Sequence, residues 1–314
     1  CSSDLRFNES NALLRNERGA LVLLPDDELA AGHPGATSAV FADFDGDGQL
    51  DLYSTHRYVS ANQYFPSFST SGFVERTHEQ SGLRSGRETF AAVAFDYDGD
   101  GDQDLYVANF GFADLLHRND GRGAFTQVAE SAGLSGSDFS VAGLPADYDG
   151  DGDFDLYVLH ANERENALWE NVGDGRFERH LSAAEGRSSS AGGVAADFDL
   201  DGDIDILVSN LGKVEIYANG GDGHFDDVSS TAVPLPLRAD SFTAGVAVAD
   251  YDLDGDVDVF LCGMRGADAL LRNERSAGHW LAFEWPPGSE GARVQVRQDD
   301  SRQGRRSEEH TSEL

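Results

Sequence analysis

The sequence predicts an all-β chain folded as a β-propeller, with four-stranded blades of about 50 residues each. Three observations predict it. A nine-residue acidic segment recurs five times, as DFDGDGQLD from Asp43, DYDGDGDQD from Asp96, DYDGDGDFD from Asp147, DFDLDGDID from Asp197 and DYDLDGDVD from Asp250. The starts lie 53, 51, 50 and 53 residues apart, so the chain is an internal repeat. Within each period, short β-prone runs alternate with turn-rich clusters, and no 3.6-residue periodicity lasts long enough for a helix of several turns.

The repeat from Thr89 to Gly133 serves as the pattern. TFAAVAF is its first strand, LYVANF after the acidic loop its second, ADLLHR its third, and AFTQVA its fourth, after the turn NDGRG. Third and fourth strands recur in NALWENVGDGRFERHL from Asn166 and VEIYANGGDGHFDDVS from Val214. First strands are rich in small residues: SAVFA at Ser38, FAAVAF at Phe90, AGGVAA at Ala191 and AGVAVA at Ala244. Small side chains suit strands crowded toward a common axis. A β-helix competes with this reading, but its repeats are usually about half as long or shorter. NALLRNERGALVLL, from Asn11, matches the third and fourth strands of a blade whose loop would lie upstream.

The chain has 314 residues, 39% of them hydrophobic, enough for a large core, and no run approaches the ~18 apolar residues of a membrane span. Its formal net charge of -34 opposes binding to nucleic-acid phosphates or an anionic membrane surface. Of the 57 acidic residues, 24 lie in the five loops, so the acidity is concentrated there. The C-terminal RSEEHTSEL (306–314) equals an in-frame translation of a common sequencing adaptor, and CSSDL (1–5) translates part of its reverse complement. We therefore expect a genuine insert of 6–305, divided into a propeller (6–276) and a following segment (277–305). Cys262 is then the one genuine cysteine, and its place after the apolar VFL predicts a buried thiol.

Numbered from its first Asp, the loop carries Asp at positions 1, 3, 5 and 9 and Gly at position 6 in every copy. Carboxylates on alternate residues of a tight turn can converge on one centre, and Gly at 6 permits the backbone conformation the turn needs. A cation is expected there, because that many like charges repel one another. Hard oxygen ligands in this number suit Ca²⁺ better than Mg²⁺, which demands strict octahedral geometry, or zinc, whose usual His and Cys ligands are missing from the loops. An EF-hand is excluded, since position 12 is Ser54, Val107, Val158, Val208 or Leu261 in place of Glu. The expected ligand sets are Asp43, Asp45, Asp47 and Asp51; Asp96, Asp98, Asp100 and Asp104; Asp147, Asp149, Asp151 and Asp155; Asp197, Asp199, Asp201 and Asp205; and Asp250, Asp252, Asp254 and Asp258. Position 7 (Gln49, Asp102, Asp153, Asp203, Asp256) would add its backbone carbonyl, with any Asp side chain pointing outward. About five structural calcium ions are predicted. The aromatic at position 2 (Phe44, Tyr97, Tyr148, Phe198, Tyr251) and the mostly apolar residue at position 8 are expected to pack into the blade.

These loops resemble the FG-GAP or VCBS repeats of integrin-type propellers, whose DxDxDGxxD calcium loops join the first two strands of each blade. The resemblance implies an intact propeller of about seven blades. GHWLAFEWPPGSEGARVQVRQ, from Gly278, looks like the start of an ASPIC/UnbV domain, and the combination resembles the cartilage acidic protein family and its bacterial relatives.

No HExxH, GxSxG, P-loop or GxGxxG context is present, and His117, His160 and His180 read as surface or packing residues. We expect no enzyme, and instead a calcium-binding recognition or adhesion module that binds protein or glycan, without nucleic acid or membrane insertion. The alternative is the propeller of a secreted polysaccharide lyase or hydrolase. Exposed calcium loops fill at millimolar calcium, which predicts an extracellular, cell-surface or periplasmic location.

Overall fold

The structure, a computed structural model, describes residues 14–18, 20–23, 35–57, 61–66, 75–76, 78–83, 88–134, 139–180, 184, 186–232, 243–263, 268–273, 294–296 and 310–312. Five antiparallel sheets form five successive blades of a β-propeller. Strands β1 (Leu14–Glu17) and β2 (Ala20–Leu23) pair ahead of them, as a third and fourth strand would. Blade I holds β3 (Ala36–Ala42), β4 (Asp51–His56) and β5 (Gln63–Phe65), and the short α1 (His78–Ser81) follows. Blade II holds β6 (Thr89–Phe95), β7 (Asp104–Asn109), β8 (Leu115–Asn119) and β9 (Phe125–Gln127). Blade III holds β10 (Ser140–Ala146), β11 (Asp155–His160), β12 (Ala167–Asn171) and β13 (Phe177–His180). Blade IV holds β14 (Ser190–Ala196), β15 (Asp205–Asn210), β16 (Lys213–Asn219) and β17 (Phe225–Asp227), then α2 (Ser229–Ala232). Blade V holds β18 (Thr243–Ala249), β19 (Asp258–Gly263) and β20 (Ala269–Leu271). A last pair joins β21 (Val294–Val296) to β22 (His310–Ser312).

Each blade runs in simple sequence order from its first strand outward. The first strands β3, β6, β10, β14 and β18 pack side by side in that order, so they form the inner wall. Their small residues are required by that crowding. A Cβ at Gly143 would sit 2.7 Å from the Tyr106 ring, and one at Gly193 would sit 2.8 Å from the Leu207 carbonyl. Every first strand also carries a bulge near its start, which lets the strand bend and adds local twist.

The core lies between blades. Each of four clusters joins one blade to the next: Phe44, Tyr53 and Tyr64 meet Leu105 and Phe125; Tyr97 and Tyr106 meet Leu156 and Phe177; Tyr148 and Tyr157 meet Ile206 and Phe225; Leu207 and Ile216 meet Val259 and Leu261. Second strands are accordingly buried on both faces in blades I to IV. Blade V differs, because no described blade covers its outer face. There β19 exposes Phe260 and Cys262. The free Cys262 thiol is thus exposed and not buried as its apolar neighbours predict: it alternates with the buried Leu261 on a two-faced strand covered on one side.

His117 and His160 are buried, in keeping with packing roles. Among the described residues no helix is long and apolar enough to cross a membrane. The segments 1–5, 277–305 and 306–314 fall outside the described residues, apart from β21 and β22.

Candidate metal centres

Each acidic loop connects the first strand of its blade to the second, and position 9 is the first residue of the second strand. The loop closes on its own carboxylates. Position 1 acts as a cap: its Oδ2 accepts the amide of the position 6 glycine in all five copies, from Gly48 to Asp43 at 2.9 Å through Gly255 to Asp250 at 3.1 Å. These glycines have φ between 81° and 102°, and the position 4 residues have φ between 62° and 76°, so both positions demand left-handed backbone. Position 4 is Gly46, Gly99 or Gly150 in three loops. In the other two it is Leu200 (φ 63°) and Leu253 (φ 62°), a conformation that L side chains resist.

The capping bonds bring carboxylates together. Ligand oxygens of positions 1, 3 and 9 lie within 4.8 Å of one another in four loops, as Asp43, Asp45 and Asp51; Asp96, Asp98 and Asp104; Asp147, Asp149 and Asp155; and Asp197, Asp199 and Asp205. In the fifth loop the grouping is Asp250, Asp252 and Asp254. Position 5 stands outside the first four groups. Its Oδ1 accepts the position 7 amide at Asp47, Asp100, Asp151, Asp201 and Asp254, the last of which also belongs to the fifth group. Two position 7 side chains do not point outward into solvent: Asp102 and Asp203 lie over Gly121 and Gly221 of the turn between third and fourth strands, where a Cβ would meet their oxygens at 2.3 and 2.6 Å. Asp256 is buried.

Whether the groups fit a cation is decided by the oxygens they leave over. Asp45, Asp98 and Asp252 each bury an Oδ1 with no hydrogen-bond donor. A buried carboxylate oxygen without a donor is costly, and a cation at the triad centre would supply the missing partner. Burial pushes the Asp98 and Asp149 carboxyls above the usual range, with the neighbouring carboxylates adding to it. Burial also raises Asp104 and Asp155 to about 8 and Asp205 to about 6, against the lowering effect of the amides they accept. Sites that favour a proton over a bare charge favour a divalent ion for the same reason. All donors are oxygen.

Loop V carries an internal cation. Arg272 places Nε 2.7 Å from Asp252 Oδ2 and Nη2 3.2 Å from Asp254 Oδ2.

Position 9 does more than face the triad. Its Oδ2 accepts the position 2 amide in every loop, and in blades II to V its Oδ1 accepts the amide of an asparagine that ends the third strand or follows it: Asn119, Asn171, Asn219 or Asn273. That asparagine was not read from the sequence. It stands 14 to 16 residues after position 9 in each of these repeats, and in three of them it opens an Asn-x-Gly-x-Gly turn, a spacing that was there to be noticed. Position 2 packs as expected in blades I to III, where Phe44, Tyr97 and Tyr148 meet Phe125, Phe177 and Phe225 of the next blade; Tyr251, with no described blade beyond it, is exposed. At position 8, Phe154 and Ile204 join the cores, whereas Leu50 is exposed.

The family model for the FG-GAP-like repeat matches residues 96–158, 147–208 and 197–261, together more than half of the chain. The chain belongs to the FG-GAP-like repeat family. Each matched FG-GAP-like segment runs from one acidic loop into the second strand of the following repeat, so the family signature and the triads coincide. No curated protein sequence matches.

Among solved structures, the extracellular domain of a protein described as a hybrid two-component system from B. thetaiotaomicron is similar, with TM-score 0.50 and 10% identity over 81% of this chain and 29% of that one. A lectin of Agrocybe aegerita that recognises non-reducing terminal N-acetylglucosamine gives TM-score 0.46 and 17% identity over 76% of this chain and 67% of the lectin. A V. cholerae biofilm matrix protein gives TM-score 0.41 and 17% identity over 72% and 35%. At these identities the likeness concerns the fold alone. The chain spans about a third of the biofilm protein and less of the two-component system protein.

At the end of the blades opposite the acidic loops, aromatic and arginine side chains form a continuous row. The Arg57 guanidinium lies 4.0 Å over the Phe90 ring; Phe90 meets Phe110 at 5.0 Å and Phe110 meets Phe139 at 4.9 Å; Arg164 lies 5.5 Å over Phe139. Phe139 is held at φ 66° and its carbonyl accepts the Ala161 amide at 2.9 Å. Phe112 and Leu211 are exposed at the same end.

Proposed function

We propose that the chain is a calcium-stabilised, noncatalytic recognition module of a secreted or surface protein. The observation that carries the calcium reading is the set of five carboxylate groups, one per blade, with a donorless buried oxygen in three of them. The side chains of positions 1, 3 and 9, together with carbonyls and water, supply the ~6 to 8 oxygens that calcium takes. Such loops fill at millimolar calcium, which supports an extracellular, cell-surface or periplasmic location.

Recognition is assigned to the end of the blades away from the metal. The Arg57, Phe90, Phe110, Phe139 and Arg164 row spans three blades, combines π faces with two guanidinium groups, and holds a bulky residue at positive φ, the kind of strain found at binding surfaces. Such a row suits a glycan or a protein loop, with the ring faces as the platform. The same reading takes the five blades as part of a ring of about seven, and residues 277–305 as the start of an ASPIC/UnbV-like domain of the cartilage acidic protein type; resemblance of sequence supports both.

The test is binding to glycan and extracellular-matrix protein arrays in calcium, repeated with Phe110→Ala and Arg164→Ala. Binding lost in both variants, with unchanged melting temperature, is the expected result. Binding that survives both removes this surface, and new reducing ends or unsaturated sugars in the glycan wells would replace recognition with catalysis.

A further inference from the structure

We propose that the five cation sites are coupled in series, through hydrogen bonds that cross from each blade to the one before it; this rests on the calcium reading above. The bonds form one continuous path. Asn273 Nδ2 donates to the Phe198 carbonyl of loop IV at 2.8 Å, while its own amide donates to Asp258. The Phe198 amide donates to Asp205, and Asp205 accepts the Asn219 amide. Asn219 Nδ2 reaches the Tyr148 carbonyl of loop III at 2.8 Å, Tyr148 donates to Asp155, and Asp155 accepts the Asn171 amide. Asn171 Nδ2 reaches the Tyr97 carbonyl of loop II at 2.8 Å, Tyr97 donates to Asp104, and Asp104 accepts the Asn119 amide. Asn119 Nδ2 reaches the Phe44 carbonyl of loop I at 2.8 Å, and Phe44 donates to Asp51.

Each link thus runs from one position 9 carboxylate, through one asparagine and the backbone of one position 2 residue, to the position 9 carboxylate of the preceding blade, and in loops I to IV these carboxylates are triad members. The same asparagine Nδ2 groups also donate to the position 8 carbonyls of their own loops, at Gln103, Phe154, Ile204 and Val257, so each Nδ2 bridges the two blades. In loops II to IV each position 9 oxygen on the path has a second lone pair beside the one that accepts its amide, so it can bond the path and the ion together.

Coupling follows from what the ion does to this path. Without it, three carboxylates within 4.8 Å repel and spread, which in loops I to IV displaces position 9 and, through its amide bond, position 2. The position 2 carbonyl is the acceptor of the next blade's asparagine, so one empty loop weakens the bond that orders the neighbouring position 9. Filling a site restores that acceptor. Linkage then requires the neighbour to favour the first site by the same factor.

The test is calcium titration of the full chain by calorimetry, with bound ions counted by native mass spectrometry. Wild type is expected to fill with a Hill coefficient above 1. Asp149→Asn, which disables loop III, is expected to lose one ion and to weaken its neighbours in loops II and IV about fivefold, the low end of typical coupling. In an Asn171→Ala, Asn219→Ala background, the same change should cost one ion and leave the neighbours unaltered. Amide exchange of Asp149→Asn at subsaturating calcium provides a second readout that needs no asparagine variant: protection at the Tyr97 and Phe198 amides should fall while that at Phe44 persists. Ions that bind independently, with exchange altered in loop III alone, overturn the coupling and leave the calcium reading intact. A chain that binds no calcium at all overturns both.

Discussion

Positions 3 and 9 of the loop are both aspartate and both belong to the triads of loops I to IV, yet they should fail in different ways. Asp155 is buried and satisfies two main-chain donors, Tyr148 N at 3.0 Å and Asn171 N at 2.7 Å. Asp155→Ala leaves both donors unpaired in the interior. At ~1 to 3 kcal/mol for each, the loss is about 2 to 6 kcal/mol, a large part of a typical folding free energy. It should be seen with calcium and with chelator alike. Asp98, by contrast, buries an oxygen with no donor, and burial plus Asp100 and Asp96 make its charge unfavourable. Asp98→Asn keeps the volume and removes that charge, so in chelator the variant should be at least as stable as wild type. In calcium it should lose one site, worth about 2.7 kcal/mol at a hundredfold excess over the dissociation constant. Urea unfolding of both variants, with and without chelator, separates the two roles. Equal losses at both positions, or an Asp98→Asn loss that persists in chelator, would refute the division of labour.

Three further outcomes follow. In chelator, stability should fall as pH rises: Asp104 and Asp155 have folded values of about 8, above the ~3.9 of an unfolded Asp, so their contribution is whole below pH 4 and disappears on the way to pH 8. Saturating calcium should flatten that slope, and thermal melts at pH 5 and 8 check both. Arg272→Ala should tighten calcium binding at loop V a few-fold, because Asp252 and Asp254 no longer share their oxygens with an internal cation; titration of the variant with ion counting reads it. Leu253→Gly relieves the left-handed strain at position 4 and should stabilise the protein by about 1 kcal/mol in denaturant unfolding, where a loss of stability would show that Leu253 contributes packing instead.

Much of the blade was legible in the sequence because its signals are local. The expected strand TFAAVAF is β6 residue for residue, and the acidic loop lies between first and second strands as its spacing requires. Membership of the carboxylate groups was legible for positions 1 and 3 in every loop and for position 9 in loops I to IV, since alternation on a tight turn aims those carboxylates inward. Position 5 joins only in loop V, because a carboxylate there can serve the position 7 amide just as well, and residue type alone does not choose between the two. Cys262 escaped for a related reason: its burial depends on whether a neighbouring blade covers the outer face of β19, and no local pattern carries that. The asparagine links join residues more than 70 positions apart, and only the stacking of blades brings them together.

If calcium holds the carboxylate groups of the five loops together, a count of calcium bound to the full chain at millimolar calcium must show it, taken with the melting temperature before and after excess chelator. About five ions and a large drop in melting temperature on chelation are the predicted result. No bound calcium and an unchanged melting temperature would mean that the loops are solvated turns, and the calcium, location and coupling assignments would fall together.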